Sequence, residues 1–233
     1  MSTVRRSVEQ TISRLVLQTL RERASLAGTP TARADAPQAL ATLIDQTLAH
    51  PIDTAALQSF CATAVEYGFG CVVVPLEHVA ACVDWLGGSN VRVGVTLEEI
   101  DRLEAALNAG ASEIELVLPA ALARADDQLG AYLARLGAHC GTSGPIMKLN
   151  LLHAELSEGD LLRVCARAAT YNLSQVVIPP GLIGAVQPTL SSSMGIKVAD
   201  VATLEAARDC LAAGAARLGT SAGADLIEAA RRG

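Results

Sequence analysis

Lys148 and Lys197 are the only lysines in a chain whose 18 basic residues are otherwise arginine. An amine can shed its proton and attack a carbonyl carbon, whereas a guanidinium stays charged and cannot. Both lysines lie in short apolar runs, Pro145-Ile-Met-Lys-Leu-Asn-Leu-Leu152 and Met194-Gly-Ile-Lys-Val-Ala199, of the kind that form buried strands. A buried cation is expensive unless it is paired or its pKa falls. Amine chemistry is therefore the first function suggested. The bland alternative is two surface lysines left over in an arginine-rich composition.

Other chemical candidates sit in similar runs. Asp45 ends the first run, Glu113 and Glu115 share one face of the fourth, and Asn150 follows Lys148 at period two. Converging lysines repel each other, which would lower an amine pKa toward neutrality, as an imine-forming nucleophile requires. A nearby carboxylate could move the protons of carbinolamine formation. The same residue types could instead form a structural ion-pair network.

The elements that must position these groups alternate along the chain. Apolar runs at 41–45, 71–74, 91–95, 114–118, 146–151, 174–178, 195–199 and 216–219 read as strands. Helical patterns occupy 53–67, 76–86, 97–109, 121–137, 156–171, 202–213 and 222–231. Eight strands alternating with helices predict a single α/β (β/α)8 barrel over residues 39–233. A doubly wound open sheet is the rival, but no G-x-G-x-x-G follows the first strand. Residues 1–38 read as an N-terminal extension: an amphipathic helix over 7–26, carrying Val8, Ile12, Leu15, Val16 and Leu20, then a linker. That helix could cap the barrel or build a homodimer. In a barrel, catalytic groups are expected at the C-terminal mouth, on inward-pointing residues.

Composition narrows the partners. A formal charge of -6 and 3% aromatic residues argue against nucleic acid or an anionic membrane. No apolar run reaches membrane-spanning length, and no signal-peptide core follows the first residues, so a cytoplasmic location is expected. Six cysteines without a C-x-x-C pair read as reduced core residues. The four histidines lack ligand spacing, so neither a metal nor a cofactor is expected. A small carbonyl compound is the expected partner.

From about Thr42 to Glu228 the chain resembles the class I deoxyribose-phosphate aldolases. The resemblance rests on Leu43-Ile-Asp-Gln-Thr-Leu48, Glu66-Tyr-Gly68 and Asn108-Ala-Gly-Ala-Ser-Glu-Ile-Glu-Leu-Val117, with Lys148, Gly195-Ile-Lys197 and Ala213-Gly-Ala-Ala-Arg-Leu-Gly-Thr-Ser221 after them. It implies a (β/α)8 barrel that cleaves or forms carbon–carbon bonds through a lysine imine. Four departures stand out. Val177 occupies the position of the family's Schiff-base lysine, in Val177-Ile-Pro-Pro-Gly181. The family's segment after the third strand is missing, since Val95-Thr-Leu97 passes straight into a helix. Its strand-four aspartate is Glu115, and Asp200-Val201 replaces its Gly-Gly phosphate loop after the seventh strand. Gly219-Thr-Ser-Ala-Gly223 remains as an anion cradle.

Three functions follow. In the first, a diverged aldolase-like lyase forms an imine on Lys197 or Lys148, with Lys148 lowering the Lys197 pKa. Asp45 and Glu115 would then move protons, and Asn150, Asp200, Gly219, Thr220 and Ser221 would bind a substrate lacking phosphate. In the second, the same groups run another proton transfer, such as dehydration, isomerisation or cyclisation. In the third, a non-catalytic barrel binds a metabolite or a partner protein.

Overall fold

The computed structural model describes residues 36–48, 50, 52–140, 144–152 and 156–233. The helix expected over 7–26, with any part in a dimer, lies outside them.

Eight parallel strands close on themselves in chain order: β1 (Ile44–Thr47), β2 (Cys71–Val74), β3 (Arg92–Leu97), β4 (Glu113–Val117), β5 (Ile146–Asn150), β6 (Gln175–Ile178), β7 (Gly195–Val198) and β8 (Arg217–Thr220). β8 pairs with β1 in the register Asp45↔Gly219, which seals the sheet. The fold is the expected (β/α)8 barrel.

Period-two alternation explains both sides of the sheet. Val72, Val74, Ile114, Leu116, Met147, Leu149, Val176, Ile178, Ile196 and Val198 belong to the main hydrophobic cluster, packed beneath the helices. The intervening positions carry Asp45, Glu113, Glu115, Lys148, Lys197 and Arg217, all buried. Val73 and Val177 are also buried yet stand apart from that cluster. Where many barrels stack branched aliphatics along the axis, this one buries charge there.

Helices α1 (Pro37–Ala41), α2 (Thr54–Tyr67) and α3 (Leu76–Leu86) accompany the first three strands. Asp53 caps α2 by accepting from Ala56 N at 2.8 Å, and Gly68 ends it in the left-handed region. Next come α4 (Leu103–Asn108), α5 (Ala120–Ala123), α6 (Asp126–Gly137) and α7 (Glu158–Thr170), then α8 (Ile183–Val186), α9 (Leu204–Ala212) and α10 (Gly223–Arg232). No helix among the described residues is long and apolar enough to cross a membrane. All six cysteines are free, and all but Cys140 are buried.

Several boundaries differ from the sequence reading. The first strand begins at Ile44 rather than residue 41, because the helix formers Pro37–Ala41 bury Leu40 and Ala41 in α1. Asp45 is thus the second residue of β1, not its last. The helix expected over 97–109 starts later: β3 runs through Leu97, and a 3₁₀ turn at Ile100–Arg102 leads into α4. The segment 121–137 divides into α5 and α6 at Arg124-Ala125. Between β6 and β7, two 3₁₀ turns flank α8, where prolines and glycines hid any helical period.

Candidate functional site: a buried lysine pair on the barrel axis

Asp45, Glu115, Lys148 and Lys197 meet on the axis although they come from four strands. Lys148 Nζ donates to Asp45 Oδ2 at 2.6 Å, and Lys197 Nζ lies 3.0 Å from the same oxygen. Lys197 also donates to Glu115 Oε1 in close contact, and Lys148 lies 3.5 Å from that atom. Glu113 joins through Oε2, 2.6 Å from Lys148 Nζ. Two carboxylate oxygens therefore bridge the two amines.

A third cation completes the set. Arg217, the first residue of β8, donates from Nε to Asp45 Oδ1 at 2.8 Å, and a second N–H closes on the same oxygen. It also stands 3.6 Å from Glu113 Oε1, and half-exposed Arg92 reaches that oxygen at 3.3 Å. Three buried carboxylates thus face three buried cations. Burying charges is tolerable when each has partners of opposite sign and satisfied hydrogen bonds.

This balance decides the protonation states. Burial opposes the charged form of Lys148, but Asp45, Glu115 and Glu113 outweigh it and raise its pKa above the usual lysine range. For Lys197, burial and Lys148 both pull downward, yet Asp45 and Glu115 win and the net shift is upward. Asp45 is pushed up by burial and then held well below the ordinary carboxylate value by Lys197, Lys148 and Arg217. The expectation that mutual repulsion lowers a lysine pKa is overturned, because each amine lies closer to carboxylates than the repulsion argument assumed. Both lysines rest as ammonium ions.

The location also differs from the mouth expected from sequence. The cluster lies mid-strand, where Lys148, Lys197 and Asp45 side chains are 0–3% exposed. Asn150, at the end of β5, is buried in register with Val177, and its Oδ1 accepts from Leu152 N at 3.0 Å. Gly219 faces the cluster rather than an anion: a Cβ there would lie 2.8 Å from Lys197 Cε. Thr220 is buried with Oγ1 accepting from Ala222 N, while Ser221 and Asp200 are exposed. The nine expected site residues therefore divide into the buried charged group with Gly219 packed against it, buried Asn150 and Thr220, and an exposed rim of Asp200 and Ser221.

Arg217 escaped the sequence reading, which searched for titratable amines. Parity was the available signal, since Arg217 stands two residues before Gly219 on the same strand and so shares its face. Asp45, Cys71 and Glu113 also place ligand-type atoms within 4.8 Å of one another. Lys148 Nζ already fills the cationic position, 2.6 Å from each of the two carboxylates. Burial meanwhile pushes the Cys71 thiol well up, away from the thiolate a metal needs. These residues do not suit a metal ion.

No family model matches the chain. Individual relatives do. Deoxyribose-phosphate aldolase 1 of Cutibacterium acnes is 31% identical over 216 residues, covering 81% of this chain and 96% of that protein. The chain belongs to the deoxyribose-phosphate aldolase family. The family's enzyme from Methanothermobacter thermautotrophicus is 30% identical, over 81% of this chain and 94% of the other. Among solved structures, the tetrameric deoxyribose phosphate aldolase of Aeropyrum pernix superposes with a TM-score of 0.72 at 18% identity, covering 85% of this chain and 94% of that one. Dihydrodipicolinate synthase from Bacillus clausii gives 0.59 at 16% identity, over 84% and 76%. At such identities the two structures speak to the barrel fold alone.

Proposed function

We propose that this family member is an aldolase-like lyase acting on a small carbonyl compound, with Lys197 as the imine-forming amine. The carrying observation is Lys197 Nζ, held between Asp45 and Glu115 on the strand paired with Val177. The amine rests protonated, so catalysis begins with proton transfer from Lys197 to Glu115, its close partner. The neutral amine adds to the carbonyl carbon, and the carbinolamine loses water to give an iminium. The Cα–Cβ bond then breaks, its electron pair moving toward the iminium to form an enamine, while the hydroxyl on Cβ gives its proton to a carboxylate and becomes the carbonyl of the first product. Protonation of the enamine and hydrolysis release the second product. Lys148 and Arg217 keep Asp45 ionised throughout, Asn150 offers its amide N–H from the end of β5, and Asp200 and Ser221 provide substrate contacts from the rim. Gly219 leaves room for the moving amine. Dehydration and cyclisation of the same imine are variants of this chemistry, and no metal or cofactor takes part.

A second reading has its own support. A charge-balanced, solvent-sealed network with Val177 beside it also suits a non-catalytic barrel that binds a metabolite or a partner protein. Reductive trapping separates the two: the lyase retains a borohydride-reduced carbonyl adduct on lysine, and the binding protein does not. A cytoplasmic, homo-oligomeric enzyme is proposed. Four copies are favoured over the homodimer that the sequence left open, on the tetramer of the Aeropyrum pernix relative, and light scattering decides the number.

A further inference from the structure

We infer that Glu113 is a positioning residue for the lysine pair: it fixes Lys148 as the standing cation, so that the transferable proton of the network belongs to Lys197. Glu113 and Glu115 stand two residues apart on β4 and share its inner face, yet their partners differ. Among the described residues Glu115 pairs with the two amines alone, Lys197 in close contact and Lys148 at 3.5 Å. Glu113 Oε2 stands 2.6 Å from Lys148 Nζ, as an ion pair without the alignment of a hydrogen bond. Its Oε1 faces Arg92 at 3.3 Å and Arg217 at 3.6 Å. Lys197 pairs with Asp45 and Glu115, so Glu113 is the carboxylate that sets the two amines apart.

Two like carboxylates take different roles from their surroundings. A proton passed from Lys148 to Glu113 would leave Arg92 and Arg217 facing a neutral group, their charges unbalanced. A proton passed from Lys197 to Glu115 strands no arginine, and Asp45 still holds Lys148 at 2.6 Å and Arg217 at 2.8 Å. The amines follow the same division. Burial opposes the charge on both; Asp45, Glu115 and Glu113 then raise Lys148, whereas Asp45 and Glu115 raise Lys197 against the charge of Lys148. Cys71 also lies within 4.8 Å of the Asp45 and Glu113 oxygens, but burial first and those carboxylates second keep its thiol protonated, so it adds no charge.

The purpose of this arrangement rests on the lyase chemistry proposed above, but its test needs no turnover. Because the chain has no other lysines, reductive methylation with formaldehyde and cyanoborohydride, followed by peptide mapping, reads the free amine at Lys148 and Lys197 separately. In mildly alkaline solution, wild type should label Lys197 at least about tenfold more than Lys148, a factor of ten in free amine being one pKa unit. Glu113→Gln keeps the shape and removes the charge, and should bring the ratio close to one. Glu113→Asp keeps the charge and should restore most of the preference. Equal labelling in wild type, a preference for Lys148, or no labelling of either lysine overturns the inference. So does a ratio that Glu113→Gln leaves unchanged, or one as low in Glu113→Asp as in Glu113→Gln. Should Glu113→Gln fail to fold, Arg92→Gln decides: it takes a cation from the same carboxylate, so the preference should hold or rise, and a fall overturns the inference. If Lys197 labels selectively but no carbonyl compound is turned over, the lyase proposal falls while the role of Glu113 stands.

Discussion

Val177 and Lys197 are register partners on adjacent strands, so the residue that the sequence resemblance sets at the family's imine position lies beside a buried amine on the inner face of the barrel. A lysine introduced at 177 would stand among three buried cations that have already used the available carboxylates. Its pKa would fall, by burial and by like charge together. Val177→Lys is expected to gain a borohydride-trappable imine at residue 177 and to lose about 1–3 kcal/mol of stability through overpacking. Peptide mapping after reduction, beside a urea titration, reads both.

Breaking the network from one side should cost more than any surface substitution. Lys148→Met leaves Asp45 and Glu113 with one buried cation fewer, a loss of about 3–5 kcal/mol. Chemical denaturation at neutral pH measures it. A cost no larger than that of an exposed residue would mean that the ion pairs are looser than their separations indicate.

The direction of each pKa shift sets how stability varies with pH. Asp45 is depressed in the folded state, so its contribution is present above the unfolded value of about 3.9 and disappears as pH falls below it. Lys148 and Lys197 are raised, so theirs is present below about 10.4 and lost as pH climbs beyond it. Thermal melts should therefore show a plateau that falls at both ends. Asp45→Asn should flatten the acid limb, and Lys148→Met the alkaline one.

Gly219 tests the packing around the amine. Alanine there would put a Cβ 2.8 Å from Lys197 Cε and 3.4 Å from the Val198 carbonyl. The lysine must then move away from Asp45 and Glu115. Gly219→Ala is expected to remain folded while turnover drops at least tenfold, and steady-state kinetics beside a melting curve separates the two effects.

The barrel itself was legible because alternation and chain order are local properties. Apolar runs of strand length spaced by amphipathic helices leave little other than a closed parallel sheet, and the two isolated lysines stood out by composition alone. What stayed hidden depends on contacts between distant strands. Asp45 Oδ2 is shared by β5 and β7 amines and its Oδ1 is held from β8, a pattern that no spacing along one strand encodes. Lysine repulsion was overestimated for the same reason: the carboxylates that neutralise it come from elsewhere in the chain. α1 was missed because Ala and Leu serve helix and buried strand alike.

Imine formation on Lys197 is most directly tested by borohydride reduction in the presence of a panel of small aldehydes and ketones. Intact-mass and peptide mass spectrometry would follow, on wild type, Lys197→Arg and Lys148→Arg. A reduced adduct on Lys197 in wild type and in Lys148→Arg, absent from Lys197→Arg together with all turnover, is the predicted result. A Lys197→Arg chain that keeps near-normal turnover, or an adduct that maps elsewhere, would contradict it.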